Sequence, residues 1–160
     1  TLIADQYEKW LRNKKPRLGI YAGSFNPFHI GHKSIADTAK NMFEKVILAR
    51  GVNLDKRKYT DLDKDVSEQL PICGYQVVEF YGMLTELYKD YSRDYDVTII
   101  KGIRNSADLE YEKTQERYLK DILPNIKIVY IFSSAQHEHI SSSAIRNLEK
   151  YGQSTSNYLP

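Results

Sequence analysis

The 160-residue chain has a single cysteine, Cys73, so no internal disulfide framework can exist, and the expected setting is a reducing compartment. It has no run of about eighteen apolar residues and no cationic leader followed by an apolar stretch, which excludes a helical membrane span and a secretory signal within it. Nor is one charge in excess. With 23 basic and 21 acidic side chains the formal net charge is +2, so nothing global argues for nucleic acid or a membrane surface. Repeats are absent, and low complexity is confined to a small polar tail at residues 153–157. What remains is a chain long enough to bury one proper core, expected to be cytoplasmic and without a second domain. Because it begins at Thr1, it is expected to be a fragment or a processed form.

The most informative stretch is Gly-Ser-Phe-Asn-Pro-Phe-His-Ile-Gly-His at residues 23–32. An apolar run at 18–22 reads as a buried strand, Gly23, Asn26 and Pro27 break it, and helical periodicity begins at His32. A turn of this kind aims backbone N–H groups and the positive end of a helix, about half an elementary charge, at one point, which suits a phosphate. His29 and His32 stand three apart at the helix mouth and Ser24 adds a hydroxyl; no base-activated nucleophile is apparent.

Along the rest of the chain, Ile3, Tyr7, Trp10 and Leu11 recur at helical spacing, so residues 1–17 read as an amphipathic helix and linker ahead of a domain at 18–160. A helix over about 32–43 leads to a strand at 45–49. A basic loop follows at 53–60, and the charged residues 61–69 read as a short exposed helix. A strand is expected at 75–80, a helix at 83–91, a strand at 96–102, a long helix over 106–123 ended by Pro124, a strand at 127–132 and a last helix at 141–150 with Gly152 beyond it. Strands alternating with helices predict an open, mostly parallel α/β sheet covered on both faces.

In such a sheet, ligands bind outside the carboxyl ends of the strands. That rule gathers Ser24, His29, His32, Asn53, Lys56, Lys101, Arg104, Ser141, Ser142 and Ser143. Cations, hydroxyls and backbone donors without paired carboxylates point to phosphoryl or nucleotidyl transfer. Singly, each has a plainer reading: Lys56 as a solvated loop cation, Glu112 as a helix-surface acid, the serines as a helix cap. Their convergence on one crevice favours a site.

The stretch at 23–32 resembles the (H/T)xGH signature of the nucleotidyltransferase superfamily. Lys-Gly-Ile-Arg-Asn-Ser-Ala-Asp-Leu-Glu-Tyr-Glu at 101–112 resembles the RGLRxxxDFEYE segment of bacterial phosphopantetheine adenylyltransferases, and Ile-Ser-Ser-Ser-Ala-Ile-Arg at 140–146 resembles their ISSSxxR helix start. Asn53 and Lys56 fit the family's NxxK loop, and Tyr-Leu-Pro at 158–160 its FLP segment. The resemblance runs from about residue 18 to the end and implies a single-domain, Rossmann-like, doubly wound parallel sheet with an additional N-terminal helix. It implies the reaction of ATP with 4′-phosphopantetheine to give dephospho-CoA and pyrophosphate, with Mg²⁺ carried mainly on the ATP phosphates.

By the same resemblance His32, Lys56 and Arg104 are catalytic. ATP is held by Ser24, the Phe25 N–H, His29, His32, Gly102, Ile103, Arg104, Glu112, His137 and Ser141 to Ser143; the acceptor is held by Ser24, Asn53, Lys56, Leu84 and Lys101. A homo-oligomer is implied, since the family forms hexamers. Departures bear on this: Lys101 stands where the family usually has arginine, the sequence stops where the family continues into another helix, and the N-terminal helix is extra. Rival readings are a nicotinamide-mononucleotide adenylyltransferase and a non-catalytic nucleotide-binding module of a larger protein. An RTEGISTT-like ending for a cytidylyltransferase and a KMSKS-like loop for a class I aminoacyl-tRNA synthetase are both missing.

Overall fold

A computed structural model describes residues 1–52 and 68–160. Asn53 and Lys56 lie outside the described residues. The elements run α1 (Leu2–Asn13), β1 (Arg17–Gly23), α2 (Ile30–Lys40), β2 (Lys45–Gly51), β3 (Glu68–Ile72), β4 (Tyr75–Phe80), α3 (Leu84–Tyr91), β5 (Asp96–Ile103), α4 (Ser106–Ile122), β6 (Ile128–Phe132) and α5 (Ser142–Lys150). The six strands form one sheet in the order β3-β4-β2-β1-β5-β6. All neighbours are parallel except the β3–β4 hairpin.

The apolar runs expected as strands are strands because they are buried on both faces, where continuous Val, Ile and Leu are favoured over alternation. In β1, Tyr21 packs upward against α2, joined by Ile35, Ala36 and Ala39, with Leu48, Val77 and Ile100 from neighbouring strands. Leu18 and Ile20 point to the other face, where Ile47, Val78 and Ile99 meet Leu84 and Leu87 of α3. Leu119 and Leu123, at the end of α4, close that second core.

One expectation is corrected. Residues 68 and 69, read from their charge as part of an exposed helix, begin the edge strand β3, which pairs antiparallel with β4 through Glu68–Val78 and Gln69–Val77. Pro71 within it is tolerated because an edge strand needs only one side of its ladder. Helix α2 also starts two residues earlier than the periodicity suggests, at Ile30, because His29 caps it. Helix α1 has no buried residue, and Leu2, Ile3, Tyr7, Trp10 and Leu11 are all exposed. Among the described residues no helix is long and apolar enough to cross a membrane.

Strand order reverses around β1: β2 lies on one side and β5 on the other. The carboxyl ends of β1 and β5 are therefore the switch point of the sheet, where the loops to α2 and α4 part and leave a crevice.

Candidate active site

The crevice at that switch point encloses about 390 Å³. Its first wall is the turn from β1 to α2. Phe25 takes a left-handed backbone conformation, φ 46°, and buries its ring edge-on to Tyr21 and His32, with centroids 5.0 and 4.9 Å apart. A non-glycine residue there costs on the order of 1 kcal/mol, and it persists because the packed ring over-determines it.

His29 is the N-cap of α2. Its Nδ1 accepts from the N–H groups of Gly31 (3.1 Å) and His32 (3.3 Å), while His32 Nδ1 accepts from the His29 N–H (3.2 Å). This reciprocal capping box stacks the two imidazoles at 3.6 Å. It also sets their chemistry. Because each Nδ1 accepts from the main chain, each neutral ring carries its proton on Nε2, leaving that N–H as a donor. Burial lowers the pKa of His29 to about 4, with Arg104 and His137 adding repulsion. Burial, then His29 and Arg104, lower that of His32 to about 3. Both rings are neutral donors at neutral pH. Gly31 is required by this stack, since a Cβ there would lie 2.9 Å from the His29 ring.

The second wall is the end of β5 and the start of α4. A Cβ on Gly102 would meet Ile35 at 2.6 Å and the Tyr21 hydroxyl at 2.9 Å, so glycine lets β5 pass close beneath α2. Arg104 is gripped by Asp108 in a forked pair, Nε to Oδ2 at 2.9 Å and Nη2 to Oδ1 at 3.0 Å, while Oδ2 also accepts the Arg104 N–H. The hydrogen bonds from Arg104 hold the Asp108 carboxyl below the usual carboxylate range. Lys101 faces Glu112 of α4 at 3.4 Å, the two side chains 19% and 17% exposed.

The third wall is the stretch from β6 into α5. Ser141 caps α5 by accepting from the Ala144 N–H (3.1 Å), which leaves the N–H groups of Ser142 and Ser143 in the unpaired first turn. Ser142 Oγ donates to the Pro27 carbonyl at 2.8 Å and Arg146 donates to that of Asn26. The two helix mouths are thus tied together through residues 26 and 27. His137 shares a hydrogen bond with Ser134 (3.1 Å) and sits against the mouth of α2.

Of the expected residues, Ser24, Phe25, His29 and His32 line the crevice from the first wall; Lys101, Gly102, Arg104 and Glu112 from the second; His137 and Ser141 to Ser143 from the third. Two are placed elsewhere. Ile103 is 1% exposed and is not among the crevice-lining residues, and Leu84 lies in the core beneath the sheet. Tyr21, Asp108, Ser133 and Arg146 also line the crevice without having been expected there as site residues. Asp108 was legible as the fourth residue after Arg104 on a helix start, the spacing of an ion pair. Tyr21 was hidden inside an apolar run.

Comparison with known proteins places the chain that carries this crevice. Residues 20–148 match the family model described as cytidylyltransferase-like. A phosphopantetheine adenylyltransferase of Cytophaga hutchinsonii is 32% identical over 149 residues, covering 90% of this chain and 97% of that protein. The chain belongs to this family. Phosphopantetheine adenylyltransferases of Streptococcus pneumoniae (30% identical, 90% of both chains) and Clostridium botulinum (28%, 90% and 91%) are further relatives. Among solved structures, a Vibrio parahaemolyticus protein described as a nicotinate-nucleotide adenylyltransferase superposes with a TM-score of 0.58 at 17% identity, covering 90% of this chain and 86% of that one. It shares the family's fold.

Proposed function

We propose that this chain transfers the adenylyl group of ATP to 4′-phosphopantetheine, giving dephospho-CoA and pyrophosphate. The observation that carries the reading is the meeting of three walls at one switch point, in a chain that spans 97% of a phosphopantetheine adenylyltransferase. An oxygen of the acceptor phosphate attacks the α-phosphorus of ATP; the bond from that phosphorus to the bridging oxygen breaks, and pyrophosphate leaves. The acceptor is a phosphomonoester ionised near pH 7, so no general base is needed. The work of the site is alignment and relief of repulsion between two anions.

The residues divide accordingly. His32 offers its Nε2–H to the α-phosphate as that phosphorus becomes five-coordinate, and neutral His29 keeps the His32 ring in place. The first-turn N–H groups of Ser142 and Ser143 receive the terminal phosphates. The Phe25 N–H, the Gly102 to Arg104 turn and His137 hold the rest of ATP, with Arg104 keeping Nη1 free after its pairing with Asp108. Ser24 touches both substrates, and Lys101, with Asn53 and Lys56, takes the acceptor.

Magnesium enters with the triphosphate. Among the described residues no group of three metal-binding side chains is assembled, and the crevice carboxylates Asp108 and Glu112 already face cations. When bound, the ion supplies charge neutralisation of the phosphate chain. The same reading carries a cytoplasmic location and a homo-oligomer, which light scattering checks.

The test is product identification by mass spectrometry after incubating the chain with Mg-ATP and, separately, 4′-phosphopantetheine, nicotinamide mononucleotide or nicotinate mononucleotide. Dephospho-CoA from the first alone is expected. A dinucleotide from either mononucleotide instead would reassign the acceptor, and ATP binding without product from any would leave a non-catalytic nucleotide-binding module.

A further inference from the structure

Two carboxylates line the crevice among the described residues, and they are held differently. Asp108 is saturated, with both oxygens taken by the Arg104 guanidinium and one also by a main-chain N–H. Among the described residues the one ion pair of Glu112 is the loose 3.4 Å contact with Lys101, although its side chain is 17% exposed and that of Lys101 is 19% exposed. The next carboxylate along the helix, Glu116, is again well bonded, by the Tyr130 hydroxyl at 2.8 Å and Lys120 at 3.1 Å. A half-buried acid with one weak partner, beside a half-buried cation at the crevice wall, is a counter-ion that an incoming anion can replace.

We infer that Glu112 is the exchangeable counter-ion of Lys101, holding the lysine until the acceptor phosphate binds and setting how many negative charges the acceptor must bring. The inference rests on the proposed function, and it moves Glu112 from the ATP subsite, where family resemblance would put it, to the acceptor side. The change of charge during the reaction gives it a purpose. An acceptor phosphomonoester arrives with close to two negative charges and out-competes one carboxylate for the lysine. Once its oxygen is bonded to the α-phosphorus, the same phosphate has one ester and one anhydride linkage and carries a single negative charge. Glu112 then competes on equal terms for Lys101, and its return favours release of the product. Lysine suits such an exchange better than arginine, because a point charge with three rotatable donors has no forked geometry to give up.

The test is steady-state kinetics of the full chain with Mg-ATP and 4′-phosphopantetheine, for the wild type, Glu112→Gln, Glu112→Asp and each of these in a Lys101→Met background. Glu112→Gln is expected to lower the KM for the acceptor about three- to tenfold while the KM for ATP stays within about twofold, the range of a partly screened pair. Glu112→Asp, which draws the carboxylate back by one methylene, lowers it by a smaller factor, so the trend survives if one variant misfolds. Both effects vanish without Lys101. A raised KM for ATP with the acceptor KM unchanged would return Glu112 to the ATP subsite and overturn the inference. A raised acceptor KM would make Glu112 a fixed support of Lys101 and would overturn it equally. If the wild type turns over no 4′-phosphopantetheine, the functional reading fails and this inference with it; turnover with the wrong pattern overturns the inference alone.

Discussion

The two faces of the sheet build their parts of the crevice by opposite means. On the upper face α2 is anchored by apolar packing, burying Gly31, Ile35, Ala36 and Ala39, and its mouth is an uncharged stack of imidazoles boxed by Phe25 and Phe28. On the lower face α4 runs for 17 residues with none buried. It meets the sheet through Arg104–Asp108, Lys101–Glu112 and Tyr130–Glu116, with apolar contact from Leu119 and Leu123 near its end. Apolar packing does not respond to a ligand's charge, whereas ion pairs do. On the proposed reaction, the α2 mouth would hold the reacting phosphorus rigidly and the α4 wall would trade counter-ions with arriving phosphates.

The largest effect should come from the rigid side. His32→Ala removes a preorganised donor worth about 3–4 kcal/mol at the transition state, so kcat should fall by about two to three orders of magnitude. A loss below tenfold in steady-state assays would mean that the neutral stack is structural only.

The same neutrality should appear in stability against pH. Both histidines have folded pKa values below the ordinary 6.5, so below pH 6.5 the unfolded chain takes up protons that the folded chain refuses. Their contribution is therefore complete above about pH 6.5 and is lost as pH falls toward about 4 for His29 and about 3 for His32. The loss should be about 1–3 kcal/mol per pH unit. Denaturant titrations at pH 7.5, 5.5 and 4.5 would measure it. His29→Asn keeps an N-cap side chain without the titration, and it should flatten the curve.

On the ion-paired side the effects should be smaller and fall on binding. Asp108→Asn loosens the fork that aims Arg104 and should cost about 1–2 kcal/mol in kcat/KM for ATP, read from initial rates at varied ATP. An effect as large as that of His32→Ala would erase the distinction between the two faces. Smallest of all, Tyr130→Phe removes the hydrogen bond to Glu116, away from the crevice. Thermal unfolding should show about 1 kcal/mol lost, with turnover unchanged.

Much of this was legible in the sequence where the signal is contiguous. The runs at 18–22, 45–49 and 127–132 form β1, β2 and β6 because strands covered on both faces need uninterrupted apolar residues. Strand β3 was not legible: Glu68 and Gln69 continue a charged stretch, Leu70 is 86% exposed, and pairing with β4 decides the conformation. In the site, the residues of three short motifs came together as expected, because each motif is one strand-to-helix turn at the same edge of the sheet. Tyr21 was missed because a residue near a strand's end looks like core until the switch point opens beside it, and Ser133 because a lone serine just past β6 carries no motif of its own. Ile103, one residue past the glycine that lines the crevice, has its side chain buried at 1% exposure, and nothing in its apolar character set it apart from the rest of β5. The pairing of Lys101 with Glu112 depends on how α4 crosses β5, which spacing along the chain does not encode.

In-line adenylyl transfer centred on neutral His32 is tested most directly by the reverse reaction. Supplied with dephospho-CoA, pyrophosphate and Mg²⁺, the wild-type chain should produce ATP and 4′-phosphopantetheine in equal amounts, and His32→Ala should do so about a hundred- to a thousandfold more slowly. Absence of ATP from the wild type, or an undiminished rate in the variant, would contradict that mechanism.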